Sequence, residues 1–297
     1  MQNESESAMN VLRNKKAVAV FILPALLFYI LIVFFPIFQS LLYSFYSWDG
    51  ITNKEFLGIT NYINLFKDRV FLQAFVNNLG YAVIVILMQV FIGLVVAILL
   101  TYVTRGREVI RTLYFTPAVI ATVAVTQLFR NIYSFEPIGI INIVLKFIGL
   151  ENLTTAWLSN PKTALIVVSV TEGWRFIGLY MIIFYIALIS LHKDVLDAAR
   201  IDGASEIKLL WYVKLPLIKP IIGMSLILCV IGVLRGFDIP YLLTGGGPGN
   251  LTELVSTYMY KKAFSSMQYG YGSAIAVFII IESLIAVALV RGFFQKH

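Results

Sequence analysis

Six apolar runs dominate this chain, at residues 17–39, 75–103, 113–129, 163–190, 220–242 and 269–290. Each is close to the roughly 20 residues that a helix needs to cross a bilayer. In hydrocarbon there is no water for backbone amides, so each run has to close its hydrogen bonds internally, as a helix. The expected fold is an all-α integral membrane protein: six transmembrane helices in a single domain, 1–297. Composition agrees. Charged residues are 13% and hydrophobic ones 59% of the chain, whereas a soluble domain is about a quarter charged. The third run is the weakest, because it is short and carries Pro117 near its start, which suits a first helical turn or a kink. The fourth, at 28 residues, is long enough to tilt or protrude.

Lys and Arg indicate orientation. Segments 1–16, 104–112, 191–219 and 291–297 hold 13 of them in 61 residues, while 40–74, 130–162 and 243–268 hold 8 in 94. The denser set is expected in the cytoplasm, together with both termini. The net charge of +7 therefore belongs to membrane topology and forms no basic face for nucleic acid. Arg13, Lys15 and Lys16 precede a first run too long for a signal peptide, so a retained first span is expected. Cys229 is the single cysteine, and His192 and His297 are the only histidines. None has a partner at ligand spacing, so neither a disulfide nor a metal site is expected. Gly245-Gly246-Gly247-Pro248 is not followed by Lys-Ser or Lys-Thr, so it is no phosphate-binding loop. The chain reads as no enzyme, binding no cofactor itself, and any ATP would be hydrolysed elsewhere.

One charged stretch, 191–219, interrupts the apolar pattern between the fourth and fifth runs. It reads as two short helices about a hinge. Asp194 can cap the first, and Asp202-Gly203 supplies a turn where positive φ is cheap. Ser205 can cap the second, which Pro216 is expected to end. On the other side, Trp48-Asp49-Gly50 signals a turn, 138–145 reads as an interfacial helix too short to span, and 244–250 as a flexible, turn-rich stretch.

The spacing of Asp197, Ala198, Ala199 and Gly203, then Val213, Leu215 and Pro216, resembles the EAA loop of bacterial ABC importer permeases. Asp202 and Ala204 sit in the same turn. Thr244-Gly245-Gly246-Gly247-Pro248 resembles the Gly-Gly-Pro turn of the carbohydrate-uptake branch. Phe56-Leu57-Gly58-Ile59-Thr60-Asn61-Tyr62 is similar to a further motif of that branch, as is Trp157-Leu158 before Pro161. The likeness covers nearly the whole chain, best from 75 to 290. One position departs from the pattern: the family's leading glutamate is Asp197 here, one methylene shorter.

The resemblance implies a type I ABC importer permease in the bacterial cytoplasmic membrane, taking up a sugar by alternating access, an oligosaccharide above others. Its implied partners are a second, similar permease subunit (a heterodimer), two ATPase subunits that use ATP and Mg, and an extracellular sugar-binding protein. The docking contact with the ATPase would involve Asp197, Ala198, Ala199, Asp202, Gly203, Ala204, Leu215 and Pro216. Glycerol phosphate or another polyol is the alternative substrate. A stand-alone secondary transporter is the alternative from a different class, and co-purification with an ATPase separates the two.

Charges inside the apolar runs suggest the pathway. Glu172 and Arg175 are three apart in the fourth run, Arg235 and Asp238 three apart in the fifth, and Glu282 lies in the sixth. A charge in hydrocarbon costs about 2.5–3.5 kcal/mol even on a permissive scale, so such residues face a bundle interior or an aqueous cavity. Spacing of three allows each pair to self-neutralise on one helix face. Glu172, Arg175, Phe176 and Leu179 form one helical stripe, and Arg235, Asp238 and Tyr241 repeat a three-residue spacing. Rings beside donors and acceptors suit a polyhydroxyl ligand, although the same residues could serve only as packing ion pairs and core aromatics.

Overall fold

The structure is a computed structural model that describes residues 15–295. Arg13, His297 and both chain ends lie outside the described residues. Five helices are long and apolar enough to cross a membrane: Ala19–Tyr43, Arg69–Tyr102, Ala164–Ile189, the rod Glu206–Thr244, and Tyr269–Phe294. These are the first, second, fourth, fifth and sixth spans. The third expected span is not one helix. Arg107–Val119 and Thr122–Tyr133 meet at 98°, and only the pair together could count as a sixth crossing. Pro117 denies its helix one interior hydrogen bond, and the helix ends two residues later at Val119, the chain turning extended at Ile120, where ψ is 139°.

The chain divides into two compact units, Met1–Leu65 with Lys262–Val277, and Phe66–Lys261 with Phe278–His297. In the first, the span Ala19–Tyr43 has no buried residue in its apolar window. After it, the short antiparallel strands Tyr46–Ser47 and Glu55–Phe56 form a hairpin. The Asn61 side chain donates to the carbonyls of Ser44 (2.8 Å) and Tyr46 (2.9 Å), and the Tyr62 hydroxyl meets Ser44 Oγ at 2.7 Å. The Asn-Tyr motif thus ties a helix to the hairpin that precedes it. At the hairpin tip Asp49 accepts from the Thr52 and Ile51 amides, and these bonds hold its carboxyl below the usual carboxylate range.

In the second unit the fourth span is the centre, packing on the second span, on Arg107–Val119 and on the fifth. Lipid tails are as apolar as leucine, so close fit rather than apolar burial holds such helices together. Gly178 shows how close: a Cβ there would lie 1.8 Å from the Tyr114 carbonyl oxygen. The shared core includes Val85, Ala97, Val168, Met181, Phe184 and Val233.

The segment after the fifth span is tied down, contrary to the flexible stretch expected at 244–250. Asn77 donates to the carbonyls of Asn250, Leu251 and Glu253 at 3.0–3.2 Å. Thr244 Oγ1 meets Thr252 Oγ1 at 2.6 Å. Glu253 is fully buried, accepts from Thr257 Oγ1 at 2.7 Å, and pairs with Lys261. A carboxylate buried with a cation and a hydroxyl donor fixes a loop that glycine composition alone would leave loose. Trp157 does comparable work at the interfacial helix Ile140–Phe147, its indole donating to Asn142 Oδ1 at 2.9 Å.

Candidate coupling and pathway sites

The charged loop folds as a helix, Lys193–Ile201, and a second helical segment that begins at Glu206. The first ends in paired turn bonds: Ala204 N–H donates to Ala199 O and Gly203 N–H to Arg200 O, both at 3.0 Å. That closure puts the residue after the cap in the left-handed region, and Gly203 has φ +81°. Ser205 then caps the next turn, accepting from the Lys208 amide at 3.4 Å.

Two local expectations fail here. Asp194 makes no capping bond; His192 occupies the cap position, without a side-chain bond, and Asp194 lies inside the first turn, where its charge still suits the helix dipole. Nor does Pro216 end a helix. Leu210–Lys214 forms a wide π-turn in which the Leu215 N–H donates to Leu210 O, five residues back. The helix Leu215–Leu234 follows directly. The widened turn accommodates the missing proline donor and its ring, so the loop runs without a break into the fifth span.

Asp197, Ala198, Asp202, Gly203 and Pro216 are exposed, while Ala199, Ala204 and Leu215 are half-buried. Asp197 pairs with Arg200 at 3.0 Å, Arg200 reaches Glu206 at 3.2 Å, and Glu206 lies 3.6 Å from Lys214. Hydrogen bonds to Glu206, first, and to Asp197 raise the Arg200 pKa, so it stays charged. Beside this chain of charges Ile201 is 86% and Tyr212 79% exposed, with Ile207 and Trp211 also open. Exposed apolar side chains beside charges are the chemistry that an interaction surface offers. Sequence reasoning missed Arg200 and Glu206, although their opposite charges flank the hinge.

The second site is a cavity of about 260 Å³ between the second, fourth and fifth spans. Glu172, Phe176 and Leu179 of the expected stripe line it, joined by Gln89, Tyr180 and Cys229. Arg175 does not. Its guanidinium donates to the Ile120 carbonyl at 3.3 Å and lies 4.9 Å from the Phe176 ring centre. No ion pair joins Glu172 to Arg175, or Arg235 to Asp238, among the described residues. Neither expected pair therefore closes as a salt bridge: the break between Val119 and Thr122 offers Arg175 a carbonyl, and Arg235 ends the helix that Asp238 would have had to continue. Arg235 and Asp238 are exposed at that break. Tyr241 stacks on Phe237, with centroids 4.8 Å apart, and meets Tyr260 at 5.2 Å.

Gln89 was not foreseen. It lies in the π-turn Leu87–Ile92 of the second span, donates to the Glu172 carbonyl at 3.2 Å and accepts from Cys229 Sγ at 3.3 Å. The signal for it was an amide in the middle of an apolar run, and π-turns of this kind concentrate at functional sites. Glu282 stands apart from this cavity, with Asn78 Nδ2 at 3.5 Å. Among the described residues no group of His, Cys, Asp and Glu could hold a metal ion.

A family model described as "Binding-protein-dependent transport system inner membrane component" matches residues 89–296. The "Probable ABC transporter permease protein YurN" of Bacillus subtilis is 37% identical over 286 residues, 95% of this chain and 97% of its own. The "Multiple sugar-binding transport system permease protein MsmF" of Streptococcus mutans is 32% identical over 262 residues, 88% and 89% of the two chains. A solved bacterial ABC transporter involved in import of the acidic polysaccharide alginate superposes with a TM-score of 0.83 at 21% identity, covering 98% of this chain and 99% of that one.

Proposed function

We propose, from the premise that this chain belongs to the family of binding-protein-dependent transport system inner membrane components, that it passes a neutral oligosaccharide through the membrane in an ATP-driven importer. It would form half of the pathway, with a second, similar permease as the other half, two ATPase subunits at the 191–219 loop and an extracellular binding protein as the source of sugar. The permease MsmF, named for multiple sugar binding, and the alginate transporter support a carbohydrate ligand.

The observation that carries the reading is the lining of the cavity. Glu172, Gln89, Tyr180 and Phe176 offer a carboxylate, an amide, a phenol and an aromatic face, with no cation among the lining residues. Sugar hydroxyls donate to a carboxylate and accept from an amide, and a ring covers their C–H face. A phosphate-bearing polyol would meet a carboxylate and no lining cation, which disfavours the glycerol phosphate alternative. In this reading the 191–219 side is cytoplasmic, as its density of Lys and Arg supports. The apolar patch of Ile201, Ile207, Trp211 and Tyr212 and the charge chain beside it would be the ATPase contact.

The test is uptake into proteoliposomes that contain the complete importer and its binding protein. Labelled oligosaccharide should accumulate with ATP, and glycerol 3-phosphate should neither accumulate nor compete. ATP-independent exchange would favour a secondary transporter instead.

A further inference from the structure

A second groove, of about 480 Å³, lies between the beginning of the fifth span and the end of the sixth. Lys219 and Arg291 line it, with Pro220, Met224, Ile227 and Phe294 as apolar wall. Lys219 is the fifth residue of Leu215–Leu234, and Arg291 is fifth from the end of Tyr269–Gln295. At 1.5 Å per residue Arg291 stands about 6 Å inside its helix end, and Lys219 about 20 Å along the continuous rod that begins at Glu206. The fifth span starts and the sixth ends at the membrane face that carries the 191–219 loop, so both cations lie toward that face.

Their surroundings differ from those of three paired cations on the same side. Arg111, Arg200 and Lys214 all have carboxylate partners. Lys219 and Arg291 have neither an ion pair nor a side-chain hydrogen bond among the described residues, and the groove contains no acidic residue. From Lys219 to Ile227 the groove follows the fifth span for about 12 Å toward the bilayer centre. Its flank is lipid-like in character: Met224 and Leu228 are 62% and 59% exposed. Two unpaired cations above an apolar slot complement a ligand with an anionic head and a hydrocarbon tail.

We propose that this groove binds an anionic phospholipid, its phosphate held between Lys219 and Arg291 and one acyl chain laid along Pro220, Met224, Ile227 and Phe294. Basic pockets between transmembrane helices select such headgroups, and the Arg291 fork can bond two phosphate oxygens at once. The inference requires only that the spans lie in a membrane. It does not depend on what the cavity at Glu172 carries.

The experiment uses the complete importer in nanodiscs of equal phosphatidylglycerol and phosphatidylcholine, with retained lipid read by native mass spectrometry. Phosphatidylglycerol should be retained over phosphatidylcholine. Lys219→Ala and Arg291→Ala should each reduce its retention about five-fold, and 1 M salt should weaken it. Met224→Trp keeps both charges, fills the slot and should also expel the lipid, whereas Lys219→Arg should keep it. These last two variants decide the matter if the alanine variants fail to assemble. Equal retention of both lipids overturns the proposal. So does retention that Met224→Trp leaves unchanged, or displacement by millimolar inorganic phosphate, which would indicate a free-anion site. An importer whose ATPase subunits cover Lys219 and Arg291 and which carries no lipid would overturn it as well.

Discussion

Arg200 and Glu206 lie on opposite sides of the Gly203 hinge, and their side chains meet at 3.2 Å. The same guanidinium holds Asp197 at 3.0 Å, so one arginine bridges the helix Lys193–Ile201 and the rod that enters the fifth span. This contact and the turn bonds beneath it link the two pieces.

Arg200→Ala should therefore act on coupling far more than on stability. The pair is exposed, and such pairs are worth about 0.2–1 kcal/mol. Expected in proteoliposomes is a lower ratio of sugar moved to ATP hydrolysed, with a nearly unchanged melting temperature. The exchange Arg200→Glu with Glu206→Arg should recover part of the loss.

Gly203→Pro should abolish uptake while insertion and expression persist. Proline fixes φ near −65°, and Gly203 needs +81°. Gly203→Ala meets no atom within 4 Å, so it should cost only about 1–2 kcal/mol of local strain and leave partial uptake. Asp197→Lys should lose ATPase binding in co-purification if the helix Lys193–Ile201 docks as proposed, because it reverses a charge on that helix. Normal ATP-driven uptake by Gly203→Pro would show that the hinge is dispensable.

Glu172→Ala should impair uptake or change substrate range and leave ATPase co-purification intact. Since Arg175 bonds the Ile120 carbonyl rather than Glu172, the double change of Glu172 and Arg175 to alanine should not restore transport. Full transport by the double variant would make the two residues a packing pair.

Lys261→Ala should lower stability by about 3–5 kcal/mol, because it leaves the fully buried Glu253 carboxylate without its cation. Thermal unfolding in detergent measures this. Replacing both members, as Glu253→Gln with Lys261→Met, should recover much of the loss.

What the sequence made legible follows from local chemistry. Apolar length identified five of the spans, a positive-φ requirement placed the turn at Gly203, and Ser205 capped as its side chain allows. The Asn61-Tyr62 and Trp157 motifs were visible as patterns, but their partners, Ser44, Tyr46 and Asn142, were not. Asp194 and Pro216 misled because each has an acceptable place inside a first turn as well as at a boundary, and only the neighbouring backbone geometry selects between them.

By itself, then, the sequence determined where the chain can cross a bilayer and where it turns, since these depend on a residue's own backbone and solvation preferences. Tertiary structure alone decided which polar groups meet: Arg175 with Ile120, Gln89 with Glu172 and Cys229, and Asn77 with the 250–253 carbonyls. Those partners lie 55 to 176 positions apart. A buried polar group takes whichever donor or acceptor the packing brings within about 3 Å, and no periodicity in the sequence records that choice.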